Sequence, residues 1–309
     1  MVLEREFYFP SSDGVHHCFV RQWSPAQQPK GVVLILHGVA EHIGRYSDFA
    51  SFLAEQGYVV CGHDHLGHGK TGAEDSKFGY FSKHDGWTLV TADARALFLK
   101  MRDEFSKVPF ILFGHSMGSF LARTFLCRYP GLANGAIISG TGMEPALTVA
   151  AGKALCTLLC KLKGPEYYSP FVHSISLGGY NKQFEPARTP SDWLSRDEAV
   201  VDRYLEDPFC GFPESVGLMR DMMGGLQYIV NRRAISQMDV RTPIFFLSGD
   251  CDPVGQNGTG VKKVYQLFKN AGCLDVSMKL YPEGRHEMLN ELNKDEVYND
   301  ILRWLEAHI

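Results

Sequence analysis

The chain has 309 residues, 45% hydrophobic and 21% charged, with a formal net charge of −4. That is the composition of an ordinary soluble globular protein, long enough to bury a substantial core. Its mildly acidic balance excludes nucleic acid as the expected partner.

The opening Met1-Val2-Leu3-Glu4-Arg5-Glu6 is charged with no apolar run behind it. Neither a signal peptide nor a transmembrane span is expected, and the expected location is cytoplasmic. The eight cysteines are scattered without metal-like pairs, so they are expected as free thiols. Residues 6–9 and 17–23 read as two short strands around the Ser11-Ser12-Asp13-Gly14 turn. Residues 32–36, Val-Val-Leu-Ile-Leu, form an unbroken apolar run suited to a strand buried on both faces. Helical spacing follows over 46–56, then a strand over 58–61 and a long amphipathic helix over 87–105. Strands are expected again at 110–113 and 135–139. Strand and helix alternating at this spacing mean a mainly parallel sheet with helices on both faces.

The alternation stops at about 143 and resumes at about 237. Between these points helical patterns occupy 148–163, 192–205 and 214–229. The later segments read as a strand at 244–247, a helix at 261–270, a strand at 276–281 and a closing helix at 296–307, which brings the strands to eight. The expected organisation is a core made of residues 1–142 and 238–309, with 143–237 inserted as a helical cap. An insertion just past a strand's carboxyl end lies where open α/β sheets place their sites, and a lid is the expected role.

The chemistry centres on residues 110–123. The apolar Phe110-Ile111-Leu112-Phe113 runs into Gly114-His115-Ser116-Met117-Gly118, and a helix-period segment follows. Strand, sharp turn and helix are what a nucleophile elbow requires. The turn would hold Ser116 at a helix N-terminus, with the Met117 amide aimed at a developing oxyanion. A serine hydroxyl needs a base. His286 follows one late strand, and Asp252, followed by Pro253-Val254, follows another. The order Ser116, Asp252, His286 is that of an α/β-hydrolase. Asp250 competes for the acid's place, and the Pro253-Val254 continuation favours Asp252. His37-Gly38 lets the backbone turn back so that the Val39 amide supplies the second oxyanion donor.

The stretches His37-Gly38-Val39-Ala40-Glu41-His42-Ile43-Gly44-Arg45-Tyr46, His63-Asp64-His65-Leu66-Gly67-His68-Gly69, the elbow, Asp207-Pro208-Phe209-Cys210, Gly249 to Val254 and Tyr281 to Glu287 run across nearly the whole chain. Together they resemble the monoacylglycerol lipase and lysophospholipase-like branch of the serine aminopeptidase type α/β-hydrolases. The resemblance implies the α/β-hydrolase fold, with a mostly parallel eight-stranded sheet, flanking helices and the helical cap. It implies Ser116, Asp252 and His286 as the triad and Val39 and Met117 as the oxyanion amides. It also implies polar contacts to a glycerol-like head from Glu41, Arg45, His115 and Tyr204. Two positions depart from the pattern: Ser119, where glycine is frequent, and Leu289, where the mammalian enzymes carry a histidine that touches the glycerol.

The expected activity is hydrolysis of esters bearing one acyl chain, monoacylglycerols or lysophospholipids, through an acyl-serine intermediate. The expected partner is that small-molecule ester, and no cofactor is expected. A proline-releasing aminopeptidase, with Glu166, Glu185, Asp197, Glu198 or Asp202 holding the amine, and an acyl thioesterase are the rival enzymes. A non-catalytic binding protein on the same fold is the rival from another class. The histidine-rich 63–68 stretch is read as a turn rather than a metal site, because ligands must converge. The 148–163 segment, with Lys153, Lys161 and Lys163, is read either as a helix packed on the core or as a transient contact with a membrane or micelle.

Overall fold

The computed structural model describes residues 1–309. Eight strands, β1 (Val2–Pro10), β2 (His17–Pro25), β3 (Gly31–Leu36), β4 (Tyr58–His63), β5 (Phe110–His115), β6 (Gly135–Ser139), β7 (Ile244–Gly249) and β8 (Val276–Tyr281), form one sheet. Their order is β1-β2-β4-β3-β5-β6-β7-β8. The β1–β2 and β2–β4 pairs are antiparallel, and every other pair is parallel. This is the α/β-hydrolase fold.

Alternate side chains of the central strands feed two cores. Val32, Leu34, Leu36, Phe110 and Leu112 pack with α3 (Gly86–Glu104), α4 (Met117–Arg128) and α10 (Thr259–Asn270) on one face. Val33, Ile35, Ile111 and Phe113 pack with α1 (Ser47–Glu55) and α11 (Lys294–His308) on the other. Burial on both faces is why these strands read as unbroken apolar runs. A short helix, α2 (Gly69–Ala73), follows β4.

The chain steps outward from β3 to β4 and returns to place β5 on the other side of β3. The loops after β3 and β5 therefore diverge at a topological switch point, where open sheets leave a crevice. Both the His37–Ala40 turn and Ser116 sit at that crevice.

Between β6 and β7 lie α5 (Ala146–Lys163), α6 (Pro170–Ile175), a 3-10 segment at Leu177–Phe184, α7 (Glu198–Glu206), α8 (Val216–Tyr228) and α9 (Arg232–Ile235). α8 joins the insertion to the core. It packs on α5 above and on α3 and α4 below. A Cβ at Gly225 would lie 2.2 Å from the Trp87 ring, so only glycine allows this approach. The Gly86 amide donates to Asp221 at 3.0 Å across the same contact.

The helix expected over 192–205 starts only at Glu198. The Asp192 carboxylate instead accepts the Arg188 and Thr189 amides at 2.6 and 3.2 Å and closes a turn. Asp197 then caps the helix by accepting the Ala199 amide at 3.0 Å. The short helices α2, α6 and α9 had no periodic signal of their own, because four to six residues scarcely complete one apolar stripe.

Candidate active site

β5 delivers the chain to Ser116, which takes φ 52° and ψ −121° as the cap of α4. A residue with a side chain at such an angle is strained, and the surroundings must hold it there. Gly114 and Gly118 permit the turn. A Cβ on Gly114 would lie 2.3 Å from the Gly118 carbonyl, and one on Gly118 would lie 1.8 Å from the Leu36 carbonyl. The Ser116 amide donates to the Ser139 carbonyl at 3.0 Å, and the Ser119 hydroxyl donates to the Ser116 carbonyl at 2.6 Å. Ser119 therefore pins the elbow from the first turn of the helix.

His286 follows β8 and lies beside Asp252, with Nδ1 3.0 Å from Asp252 Oδ1. The Asp252 carboxylate is wholly buried and also accepts the Val254 amide at 2.9 Å and the Ser248 hydroxyl at 3.1 Å. Burial alone would raise its pKa, but the facing His286 and these donors outweigh that and hold it below the ordinary carboxylate value. Burial likewise depresses His286, and the charge and hydrogen bond of Asp252 more than reverse this, raising it above the ordinary imidazole value. Asp250 is exposed and accepts the Glu283 amide at 2.7 Å, the task of a turn former. His286 lies against two other rings, with centroids 4.6 Å from His115 and 5.0 Å from Trp193 of the insertion. Ser116 and His286 line one cavity, although no hydrogen bond joins their side chains. Such bonds are often long before substrate arrives.

The turn after β3 brings Gly38 against the serine: a Cβ at Gly38 would lie 3.2 Å from Ser116 Cβ. Val39 follows, and Ala40 has a positive φ of 54° that reverses the chain. The Val39 amide has no protein acceptor, and the Met117 amide, first in α4, has none within its helix. Val39, Ser116 and Met117 border the same small apolar space.

A buried ionic network braces this turn. Glu41 Oε1 accepts the Gly38 amide at 2.5 Å and the Tyr46 hydroxyl at 2.8 Å, and Glu41 Oε2 pairs with Arg45 at 2.9 Å. Arg45 grips Glu287, next to His286, through two bonds of 2.6 and 2.7 Å. Tyr204 of α7 covers the guanidinium, which lies 4.8 Å from its ring centroid, and donates its hydroxyl to the Ala40 carbonyl at 3.1 Å. Burial raises the Glu41 pKa, whereas the doubly bonded Arg45 overrides burial at Glu287 and holds it well below the usual range.

The cavity over Ser116 measures about 320 Å³. Glu41, His115, Tyr204 and Glu287 line it, but Arg45 does not: it stands behind the two glutamates. Burial drops His115 to about 3, so its ring is neutral. No lysine or arginine lines the cavity, and Glu166, Glu185, Asp197, Glu198 and Asp202 all lie outside it. Leu289 is packed in the lower core. Among the lining residues that the sequence did not single out, Glu214 and His173 are joined at 3.2 Å. Glu214 precedes α8 and carried no motif that could have singled it out.

From Ser116 a second, apolar space of about 70 Å³ runs between Phe120, Tyr180, Met222 and Leu226. Through Ser176, Met219 and Met223 it adjoins an open apolar crevice of about 500 Å³ between α5 and α6.

The four histidines 37, 63, 65 and 68 are buried under the β3 turn. His37 Nε2 accepts the His65 amide at 3.0 Å, and the His37 and His65 rings lie 4.0 Å apart. Their side-chain nitrogens do not converge as a metal-ligand set. One group does converge, His42, Asp207 and Cys210, with its ligand atoms within 4.8 Å of one another. There His42 Nδ1 accepts the Gly44 amide at 3.2 Å, so the proton sits on Nε2, which donates to Asp207 at 2.9 Å. A proton on that nitrogen disfavours ligation.

The family described as "Serine aminopeptidase, S33" matches residues 27–293. The monoacylglycerol lipase of Mycolicibacterium smegmatis is 28% identical over 293 residues, covering 93% of this chain and 92% of that protein. The monoglyceride lipase of Homo sapiens is 27% identical over 298 residues, covering 96% and 88%. A thermostable carboxyl esterase from Bacillus coagulans, solved in complex with glycerol, superposes with a TM-score of 0.93 at 28% identity, over 99% of this chain and 98% of that one. A soluble variant of the Saccharomyces cerevisiae monoglyceride lipase shares the fold, with a TM-score of 0.77 at 20% identity over 98% and 94%.

Proposed function

Given that the chain belongs to the serine aminopeptidase S33 family of α/β-hydrolases, we propose that it is a serine ester hydrolase of single-acyl-chain lipids and that its preferred substrates are monoacylglycerols. The relatives named as monoacylglycerol lipases and the carboxyl esterase support ester chemistry. One observation carries the choice of head group: three glutamates and no lysine or arginine line the cavity over Ser116. A phosphate-bearing lysophospholipid head would meet carboxylates with no lysine or arginine to pair with, whereas a neutral polyol would meet an open acceptor at Glu214. The adjoining apolar passage suits the acyl chain, and its methionines can shift to admit it.

In this reading the Ser116 Oγ attacks the ester carbonyl carbon as His286 Nε2 takes its proton. The Val39 and Met117 amides hold the oxyanion. The C–O bond to the alcohol breaks, His286 returns the proton to the departing alkoxide, and the acyl group remains on Ser116. Water, deprotonated by His286, then releases the fatty acid and restores the serine. Asp252 fixes the imidazole tautomer and balances its positive form. Glu41, Arg45 and Tyr204 spend their polar capacity on one another and on the β3 turn, so their part is to hold the oxyanion donors in place. His115 acts as a neutral wall of the site.

Replacing Ser116 by Ala should lower turnover of a monoacylglycerol about 10⁴-fold or more. Hydrolysis that persisted near the original rate, by release of free fatty acid, would remove the assignment.

The resting place of the enzyme is proposed as the cytoplasm, with transient docking to a lipid surface through the insertion. Leu147, Leu158, Leu162, Phe171 and Ile175 are exposed around the apolar crevice, and α5 ends in Lys161 and Lys163. Lys153 is engaged with Gln227 at 3.0 Å. No helix is long and apolar enough to cross a membrane. Co-sedimentation with anionic vesicles should fall when Phe171 and Ile175 become Ser. Unchanged sedimentation would refute the docking.

A further inference from the structure

We propose that Glu214 is the residue that recognises the alcohol half of the substrate, by accepting hydrogen bonds from its free hydroxyls. The proposal rests on the ester-hydrolase reading and names the group that sets its head-group preference.

Of the polar residues first expected to touch the head, Glu41, Arg45 and Tyr204 are already committed, as is the neighbouring Glu287. Glu41 already accepts three donors, from Gly38, Tyr46 and Arg45. Glu287 is filled by Arg45 and by Asn290 at 3.0 Å. The Tyr204 hydroxyl points its proton at Ala40. Asn181 also lines the cavity, but it donates to the Thr189 carbonyl at 2.8 Å and accepts the Trp193 amide at 2.9 Å.

Glu214 is different. Its side chain is 5% exposed, its only protein partner is His173 at 3.2 Å, and one of its two oxygens has no protein donor. That oxygen is not sealed off from solvent, so a donor entering the cavity can reach it. The structure also fixes where it points. Ser215 caps α8 by accepting the Leu218 amide at 3.1 Å and donates its own amide to the Gly79 carbonyl at 2.8 Å. The Val216 amide is tied to the Tyr167 carbonyl at 2.8 Å. Gly79 has φ 72°, and a Cβ there would lie 2.2 Å from the Pro213 carbonyl. Glu214 is therefore set by backbone clamps on both sides, not by a mobile loop. His173 donates from Nδ1 to the carboxylate at 3.2 Å and steadies it, and that hydrogen bond raises the His173 pKa.

A site built to accept a substrate hydroxyl discriminates against the analogue that lacks it, because its acceptor is then left buried and unpaired. The same carboxylate disfavours a phosphate in that position.

The test compares a monoacylglycerol with the ethyl ester of the same fatty acid. The ratio of their kcat/KM values should fall about 10- to 100-fold in Glu214→Ala, as for loss of a hydrogen bond to a charged group. Glu214→Gln, which keeps the volume and one acceptor oxygen, should retain part of the ratio and guards against a folding defect. An unchanged ratio in Glu214→Ala overturns the proposal. So does turnover of a proline arylamide that disappears in Glu214→Ala, which would assign the carboxylate to a free amine. Saturation-transfer NMR on free glycerol tests the same contact without catalysis: a signal in the wild type that Glu214→Ala loses supports it, and equal signals overturn it. Should neither ester be cleaved by the wild type, the ester reading fails alone, and the glycerol experiment still decides the role of Glu214.

Discussion

At the scale of single residues, the pair His286 and Asp252 predicts the pH dependence. Asp252 raises the His286 pKa above 6.5, and the imidazole must be neutral to take the serine proton. Ester hydrolysis should therefore be full at alkaline pH and fall as pH drops through a midpoint above 6.5, read from kcat/KM on a soluble ester. Asp252→Asn removes the charge that lifts the base, so the surviving activity should titrate at lower pH. A profile that stayed in place would mean that another group is the base. The two aspartates show what sequence could and could not say. Both follow the same strand, and only in three dimensions does Asp250 take the Glu283 amide while Asp252 faces the histidine.

At the scale of elements, two loops and a helix that are far apart in sequence are tied together through one guanidinium. Arg45 joins Glu41, which holds the turn after β3, to Glu287, which neighbours His286, while α7 of the insertion covers it with Tyr204. The Arg45 side chain is only 11% exposed, and its two carboxylate partners 5% each. Arg45→Met leaves both carboxylates buried without a cation and should cost about 3–5 kcal/mol. Activity should fall mainly in kcat, because the Val39 and Met117 amides and His286 lose their mutual alignment. A loss confined to KM, in kinetics on a monoacylglycerol, would instead make Arg45 a substrate contact. Glu41 and Arg45 were singled out in the sequence only through the resemblance, as contacts to the head group. Their distant partner Glu287 was not, because nothing local links positions 45 and 287.

At the scale of the whole molecule, burial of neutral histidines sets an acid limit. Burial lowers His63 to about 3 and His68 to about 4, and it lowers His37 and His65 well below the ordinary value with help from their histidine neighbours. In the unfolded chain each binds a proton near pH 6.5. The unfolded state therefore gains protons first as pH falls, and stability is full above about pH 6.5 and declines below it. The thermal midpoint should drop steadily between pH 6.5 and 4, and His65→Asn should flatten that slope. A midpoint constant over this range would contradict the buried, neutral cluster.

The alternation of apolar runs and helical stripes, with Gly-x-Ser-x-Gly at one strand end, was enough to determine the sheet, its helices and the candidate nucleophile. Those features are local: a strand buried on both faces must be apolar throughout, and a sharp elbow must have glycines where backbones touch. The chain alone also marked residues 143–237 as an interruption. What only the folded arrangement decided was which polar groups are already satisfied. Glu41, Arg45 and Tyr204 looked available in sequence and are bound to one another in space, whereas Glu214 had no signature and is left with an open acceptor. Hydrogen-bond saturation depends on partners hundreds of residues away, and no periodicity or spacing encodes it.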